Sequence, residues 1–392
     1  MVITAGPGVA ALPEGGRVDF ARLRRERRAR LLEAMAEAGL DALVLGRPAN
    51  ITYASGARQL WTAGARPFGP GAVVMADSGE VHLLSTWDDG VPSEIGRDHL
   101  FGLSWNPGRI VANLAAIPGL ASAPRIGTDG WSPGAGALVA AVAAGAEFID
   151  AWPALAAARR VKTVDELACL RTAAAAAEAG MSALVEALRP GITERQLMGV
   201  HAAALARLGL PTPPIEAAAS LMPGADGKPT ALRRLVSDQA AEAGQMVALT
   251  AGALYAGYEA TLSRTWLVGS EPGALGTASA GQRGIAGQAR ALRDARVAAC
   301  RPGPLPASLG PDQSAGAEPV AWGVGLGMEA PLLGAGLGTG TELSAGMTLV
   351  VQAWAAGLSG PGGALEADLV LVGPEGPESL TRFGSCPALT AD

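Results

Sequence analysis

The stretch 164–191, VDELACLRTAAAAAEAGMSALVEALRPG, constrains the fold of this chain most. It is rich in alanine, the strongest helix former, and meets no breaker until Pro190-Gly191, so it reads as one long helix. ITERQLMGVHAAALARLG begins a second helix, with Thr193 at its N-cap. After the Pro-rich break PTPP the texture changes to strand-like runs: QMVALTAG, ALYAGYEATLSRTWLVG, MTLVVQAW and ADLVLVG. Between them lie a helical stretch, QRGIAGQARALRDARVAAC, and a Gly-rich one, WGVGLGMEAPLLGAGLGTG. Two helices, strands, a helix and more strands imply α+β architecture, a curved antiparallel sheet covered by helices on one face.

The first half reads as an α/β unit of its own. Leu23, Leu31, Leu32 and Met35 recur at helical spacing and Gly39 supplies the stop. DALVLG is a short buried strand, ITYAS (51–55) is read as another, and GAVVMADSGEVHLLST as a hairpin turning at Asp77-Ser78-Gly79. RIVANLAAI is helical and RIGTD strand-like, and SPGAGALVAAVAA starts a helix with Ser at the cap and Pro in the first turn. AEFIDAWPALAAARRVKT reads as a connector. The expected division is a tail over 1–18, one domain over 19–155 and a second over 156–392.

Composition excludes several classes. Hydrophobic residues make up 49% and charged residues 17%, which excludes a disordered polyelectrolyte. The net charge of −6 with no polybasic tract argues against a nucleic-acid partner. The basic cluster Arg22 to Arg30 opens an amphipathic helix and is expected to form a solvated face. Three scattered cysteines indicate neither a disulfide framework nor a thiolate metal site. No basic-then-apolar leader and no long apolar run is evident, so a cytoplasmic protein without membrane association is expected. GVGLGM matches a dinucleotide loop only in part. A backbone needing close approach or positive φ within a sheet explains its alternating glycines better.

Several segments resemble, in order, the family of creatinase, aminopeptidase P, Xaa-Pro dipeptidase and methionine aminopeptidase. RRARLLEAMAEAGLDALVLGRPANITYASG resembles the opening of its N-terminal domain, and ARRVKTVDELACLRTAAAAAEAGMSALVEALRPGITERQL the start of its catalytic domain. VALTAGALYAGYEATLSRTW, GVGLGMEAP, LSAGMTLVVQAW and GGALEADLVLV resemble its sheet motifs, so the likeness runs from about residue 20 to 380. It implies a creatinase-like α/β domain followed by a pita-bread domain, and a homodimer.

In metallopeptidase members of that family, carboxylates and one histidine hold two divalent ions, because hard cations need anionic oxygen ligands. Carried over by position, the two aspartates fall on Thr250 and Thr261, and the histidine on Trp322, or on Val324 if the loop is shifted. The glutamates fall on Gln352 and Ala367, with Glu366 as the alternative for the last if that strand slips by one residue. Gly257, Tyr258, Thr261, Arg264 and Thr265 keep the flanking signature and anchor the hairpin register. Neither metal nor any other cofactor is expected.

The resemblance includes creatinase, which works without metal through a histidine base. His82 and His99 lie in the N-terminal half, and His201 lies on the second long helix, which leaves no histidine for the expected pocket. Glu259 and Glu329 are the remaining acid–base candidates, with pairing to Arg264 as the competing role. Trp61, Trp266, Trp322 and Trp354 fall in segments that frame the family's pocket. The expected ligand pocket comprises Thr250, Thr261, Trp322, Gln352, Ala367, Tyr258, Arg264 and Trp354. Two functions stay open: a protein without peptidase activity that binds a small amino-acid-derived or peptide ligand or a protein partner, and a metal-independent C–N hydrolase of the creatinase type. A conventional metal-dependent Xaa-Pro aminopeptidase would need ligands this sequence lacks.

Overall fold

The computed structural model describes residues 17–57, 69–84, 90–102, 106–130, 132–210, 219–222, 235–305, 309, 319–334, 342–356 and 362–390. Trp61 and the PTPP break lie outside the described residues. The chain forms two compact units, Asp19–Thr163 and a second from Val164 onward.

In the first unit a mixed sheet runs in the order β4-β3-β2-β1-β5-β6, built from β1 (Ala42–Leu45), β2 (Ala72–Met75), β3 (Val81–Leu84), β4 (Leu100–Phe101), β5 (Arg125–Thr128) and β6 (Glu147–Asp150). Its helices are α1 (Phe20–Glu37), α2 (Pro48–Ser55), α3 (Pro107–Ala115), α4 (Pro133–Ala140) and α5 (Trp152–Arg160). The expected strand ITYAS is the second half of α2. Pro48 in its first turn and Gly56 at φ 70 just past its end are helix punctuation, and they outweigh the β-branched Ile51 and Thr52.

The expected connector is in fact β6 and α5. Tyr53 donates to the Ala158 carbonyl at 2.7 Å and Arg159 to Asn50 at 2.7 Å, so α5 packs into this unit and the unit extends past residue 155 to Thr163. The basic stretch of α1 is not simply solvated either. Arg27 is buried over the Tyr53 ring, and Arg28 and Arg30 donate to the carbonyls of Ala54 and Val161.

The second unit opens with α6 (Val164–Ala187) and α7 (Glu194–Arg207), whose N-terminus is closed by a capping box between Thr193 and Gln196. The strands that follow are β7 (Ala219–Leu221), β8 (Met246–Tyr255), β9 (Tyr258–Leu267), β10 (Gly303–Pro304), β11 (Pro319–Gly325), β12 (Gly327–Gly334), β13 (Glu342–Leu343), β14 (Thr348–Ala356), β15 (Gly363–Val372) and β16 (Pro377–Ser379). The main sheet is antiparallel in the order β12-β11-β14-β15-β9-β8-β7, with β16 beside β15. β10 and β13 pair separately. Buried Ala173, Ala176 and Ala177 let α6 lie close against β8 and β9, while α8 (Ala280–Ala298) lies against β14 and β15.

The sheet curls strongly, so that β11 and β12 return toward β9 across the intervening strands. The Gly-rich run is the β11–β12 hairpin. A Cβ on Gly323 would stand 2.4 Å from the Ala330 carbonyl oxygen, and Gly327 turns the chain at φ 81.

Candidate functional site

β8 and β9 meet at a two-residue turn, Ala256-Gly257, with φ of 51 and 85, the geometry of a tight hairpin. That turn holds the register, which pairs Thr250 with Ser263 and Gly252 with Thr261. Ser263 pairs onward with Ala367 of β15, and Ala367 with Gln352 of β14. Gln352, Ala367, Ser263 and Thr250 therefore form one straight row across four strands. Side chains directly opposite on neighbouring strands share a face, and Thr261, two residues from Ser263, joins them. Trp322 pairs with Val350, two residues from Gln352, which places it on the same face at the β11 end.

The row is buried and neutral. Thr250, Thr261, Ser263, Gln352 and Ala367 are each at most 5% exposed, and the Thr250 and Ser263 hydroxyls bond each other at 2.8 Å. It contains no carboxylate and no imidazole. Three hydroxyls, an amide and a methyl do not match the anionic oxygen set that two hard cations need. Among the described residues no group of three or more His, Cys, Asp or Glu is arranged to hold a metal ion.

The acids of β15 occupy the other face, against the helices. Glu366 accepts from Arg293 of α8 at 2.9 Å and from Ser385 at 3.2 Å. Asp368 accepts from Arg264 at 2.6 Å and from Thr381 at 2.8 Å. Burial pushes the Glu366 carboxyl above the usual range, while Arg264 and Arg293 pull it back. Arg264 also donates to the Phe383 and Ala367 carbonyls. Arg264 thus stands behind the sheet rather than in the expected pocket, and its acidic partners are Glu366 and Asp368, not Glu259 or Glu329.

Tyr258 is placed behind the sheet as well. Its hydroxyl donates at 2.8 Å to Glu166 of α6 and its ring is wholly buried. Alternation along β9 then puts Glu259 on the face of the row, where the Thr261 hydroxyl approaches it at 3.4 Å. Burial raises the Glu259 carboxyl above its ordinary range and the Thr261 hydrogen bond lowers it in part. Glu329 is buried on β12 opposite Gly323. Trp354 packs in the main apolar cluster with Leu365, its ring lying where a side chain on Gly363 would go.

The histidines stand elsewhere. His201 is buried between α7 and α6 with its ring against Gly180, and burial lowers its pKa to about 4. His82 and His99 stack with ring centroids 4.5 Å apart in the first unit. Ser263 is the site residue that sequence reading passed over. Its two-residue spacing from Thr261 on a strand was the signal that could have found it.

Comparison with known proteins supplies the setting. Residues 168–374 match the model of metallopeptidase family M24, and residues 27–161 that of the creatinase/prolidase N-terminal domain. The fold is similar to a prolidase from Pyrococcus horikoshii OT3, with 18% identity over 92% of this chain and 99% of the other and a TM-score of 0.72. It is similar too to an Xaa-Pro dipeptidase from Bacillus anthracis, with 20% identity over 92% and 98% and a TM-score of 0.70. A dipeptidase from Mycobacterium ulcerans shares 23% identity over 94% and 98%, with a TM-score of 0.69. No curated protein matches the chain. Among the described residues, no helix is long and apolar enough to cross a membrane.

Proposed function

This chain belongs to metallopeptidase family M24, and we propose that it is a member without a dinuclear metal, whose sheet face binds a small amino-acid-like or peptide-like ligand instead of cleaving an Xaa-Pro bond. One observation carries the proposal: the row Gln352, Ala367, Ser263 and Thr250 is continuous across four strands and wholly neutral. Desolvating a divalent cation costs several kcal/mol even after relaxation, and neutral hydroxyls return little of it. The Thr250 hydroxyl already has Ser263 as its partner. Trp322, half-buried on this face, presents an apolar, cation-attracting wall to a ligand. The proposal includes a homodimer, which the family resemblance implies, acting in the cytoplasm.

Glu259 favours a second reading, a metal-independent C–N hydrolase. A carboxyl lifted by burial and lying on the face of the row is shifted in the direction that favours a general acid. Elemental analysis of the purified chain, before and after incubation with Mn or Co, tests the first reading. Turnover of Xaa-Pro dipeptides is measured on the same samples. Substoichiometric metal and no cleavage are expected; one or more tightly held ions per chain, or metal-dependent cleavage, overturns it. Metal-free turnover of an amide or guanidino substrate would favour the second reading.

A further inference from the structure

The acids of the main sheet fall into two groups. On the helix-covered face Glu366 and Asp368 each have an arginine, Arg293 and Arg264 respectively, within 2.9 Å. On the opposite face Glu259 has no such partner among the described residues. Its one hydrogen bond among the described residues is the 3.4 Å contact with Thr261, and no cation contributes to its electrostatics. A carboxylate taken largely out of water without a counter-ion is costly. Proteins retain such costs where a ligand repays them.

Around Glu259 the remaining groups suit a ligand and not a second side chain. Glu259 lies next to the β8–β9 turn and is only partly buried, at the open end of the buried row. Leu254 stands opposite it on β8. The curl of the sheet brings β11, with Trp322, and β12, with buried Glu329, back toward β9. An aromatic wall and the Glu259 carboxylate, with no arginine or lysine beside it among the described residues, attract a positive group and repel an anionic one.

We infer that Glu259 is the anchor for a positively charged amino group, so that the ligand of this face is a small primary ammonium compound whose opposite end is neutral. The inference rests on the reading that this face binds a ligand. One carboxylate with neutral hydroxyls suits a singly charged ammonium, which a single anionic partner neutralises, better than a divalent ion, which needs several oxygen ligands and more negative charge.

Calorimetric titration of the full chain with alaninamide, N-acetylalaninamide and N-acetylalanine tests it, since the first two differ in charge at the amino end only and the last two at the carboxyl end only. Alaninamide is expected to bind at least tenfold more tightly than either acetylated compound, and Glu259→Gln to erase that preference. Glu259→Asp keeps part of it. The thermal midpoint of the unliganded Glu259→Gln chain is expected to equal or exceed that of the parent, because a lone carboxylate has been removed. A preference that survives in Glu259→Gln, tighter binding of N-acetylalanine, no binding of any of the three, or a lowered midpoint would each overturn the inference. Metal content is read separately on the same samples, so a metal-loaded chain would count against the proposed function and not be confused with a failure of the Glu259 anchor.

Discussion

Ala367 and Asp368 are consecutive on β15 and face opposite sides of the sheet: Ala367 stands in the neutral row between Gln352 and Ser263, and Asp368 accepts from Arg264 behind it. The β15 register places Glu366 beside Arg293 on the helix side. Two carboxylates of this strand are therefore spent on holding α8 and the 381–385 segment to the sheet.

Removing the shared cation should expose the cost of that arrangement. Arg264→Met leaves Glu366 and Asp368 buried with Arg293 alone, and a loss of about 3–5 kcal/mol is expected. Combining it with Glu366→Gln and Asp368→Asn removes the uncompensated charge and should recover part of the loss. Urea unfolding midpoints check both.

Tyr258→Phe separates the two faces. It deletes the hydrogen bond to Glu166, a bond to an acidic acceptor, and should cost about 2 kcal/mol. Because Tyr258 points at α6, ligand titrations at the Glu259 side should be unchanged within error. A comparable loss of ligand affinity would contradict the placement.

Gly180 shows close packing overriding helix propensity. Alanine in a helix interior ordinarily gains about 1 kcal/mol over glycine. Here the added Cβ would lie 2.7 Å from His201 Cδ2 and 2.8 Å from its Nε2, so Gly180→Ala is expected to destabilise by about 1–3 kcal/mol. In a Gly180→Ala/His201→Ala double variant the clash is gone, and a double-mutant cycle of unfolding free energies should report a strong coupling between the two sites.

The same histidine predicts an acid response. The His201 pKa falls from 6.5 to about 4 through burial, so the unfolded chain takes up a proton before the native one does. Its stabilising contribution is whole above about pH 6.5, declines as the pH falls toward 4 and levels off below that, for a total of about 3 kcal/mol. Unfolding midpoints at pH 7, 5.5 and 4 should fall more steeply in the parent than in His201→Leu.

Much of the fold was legible from residue patterns. The long helices were plain because alanine-rich runs ended at clear breakers and Thr193 marked an N-cap. The first hairpin was plain because alternation stopped at Asp77-Ser78-Gly79, whereas the run ALYAGYEATLSRTWLVG was read as one stretch and the structure turns it at Ala256-Gly257. Where reading failed, local propensity and context disagreed. The β-branched residues of 51–55 suggested a strand, but Pro48 and Gly56 closed a helix around them. The arginines of α1 suggested a solvated face, yet Arg27 covers the Tyr53 ring.

The sequence by itself determined which residue types stand at Thr250, Thr261, Trp322, Gln352 and Ala367, and that neighbours such as Tyr258 and Glu259 must face opposite ways. Only the tertiary structure decided which way, because a strand's two-residue period is symmetric until helices cover one of its faces. α6 and α8 made that choice: they drew Tyr258, Arg264, Glu366 and Asp368 into a paired interior and left Glu259 on the other side, with no counter-ion among the described residues.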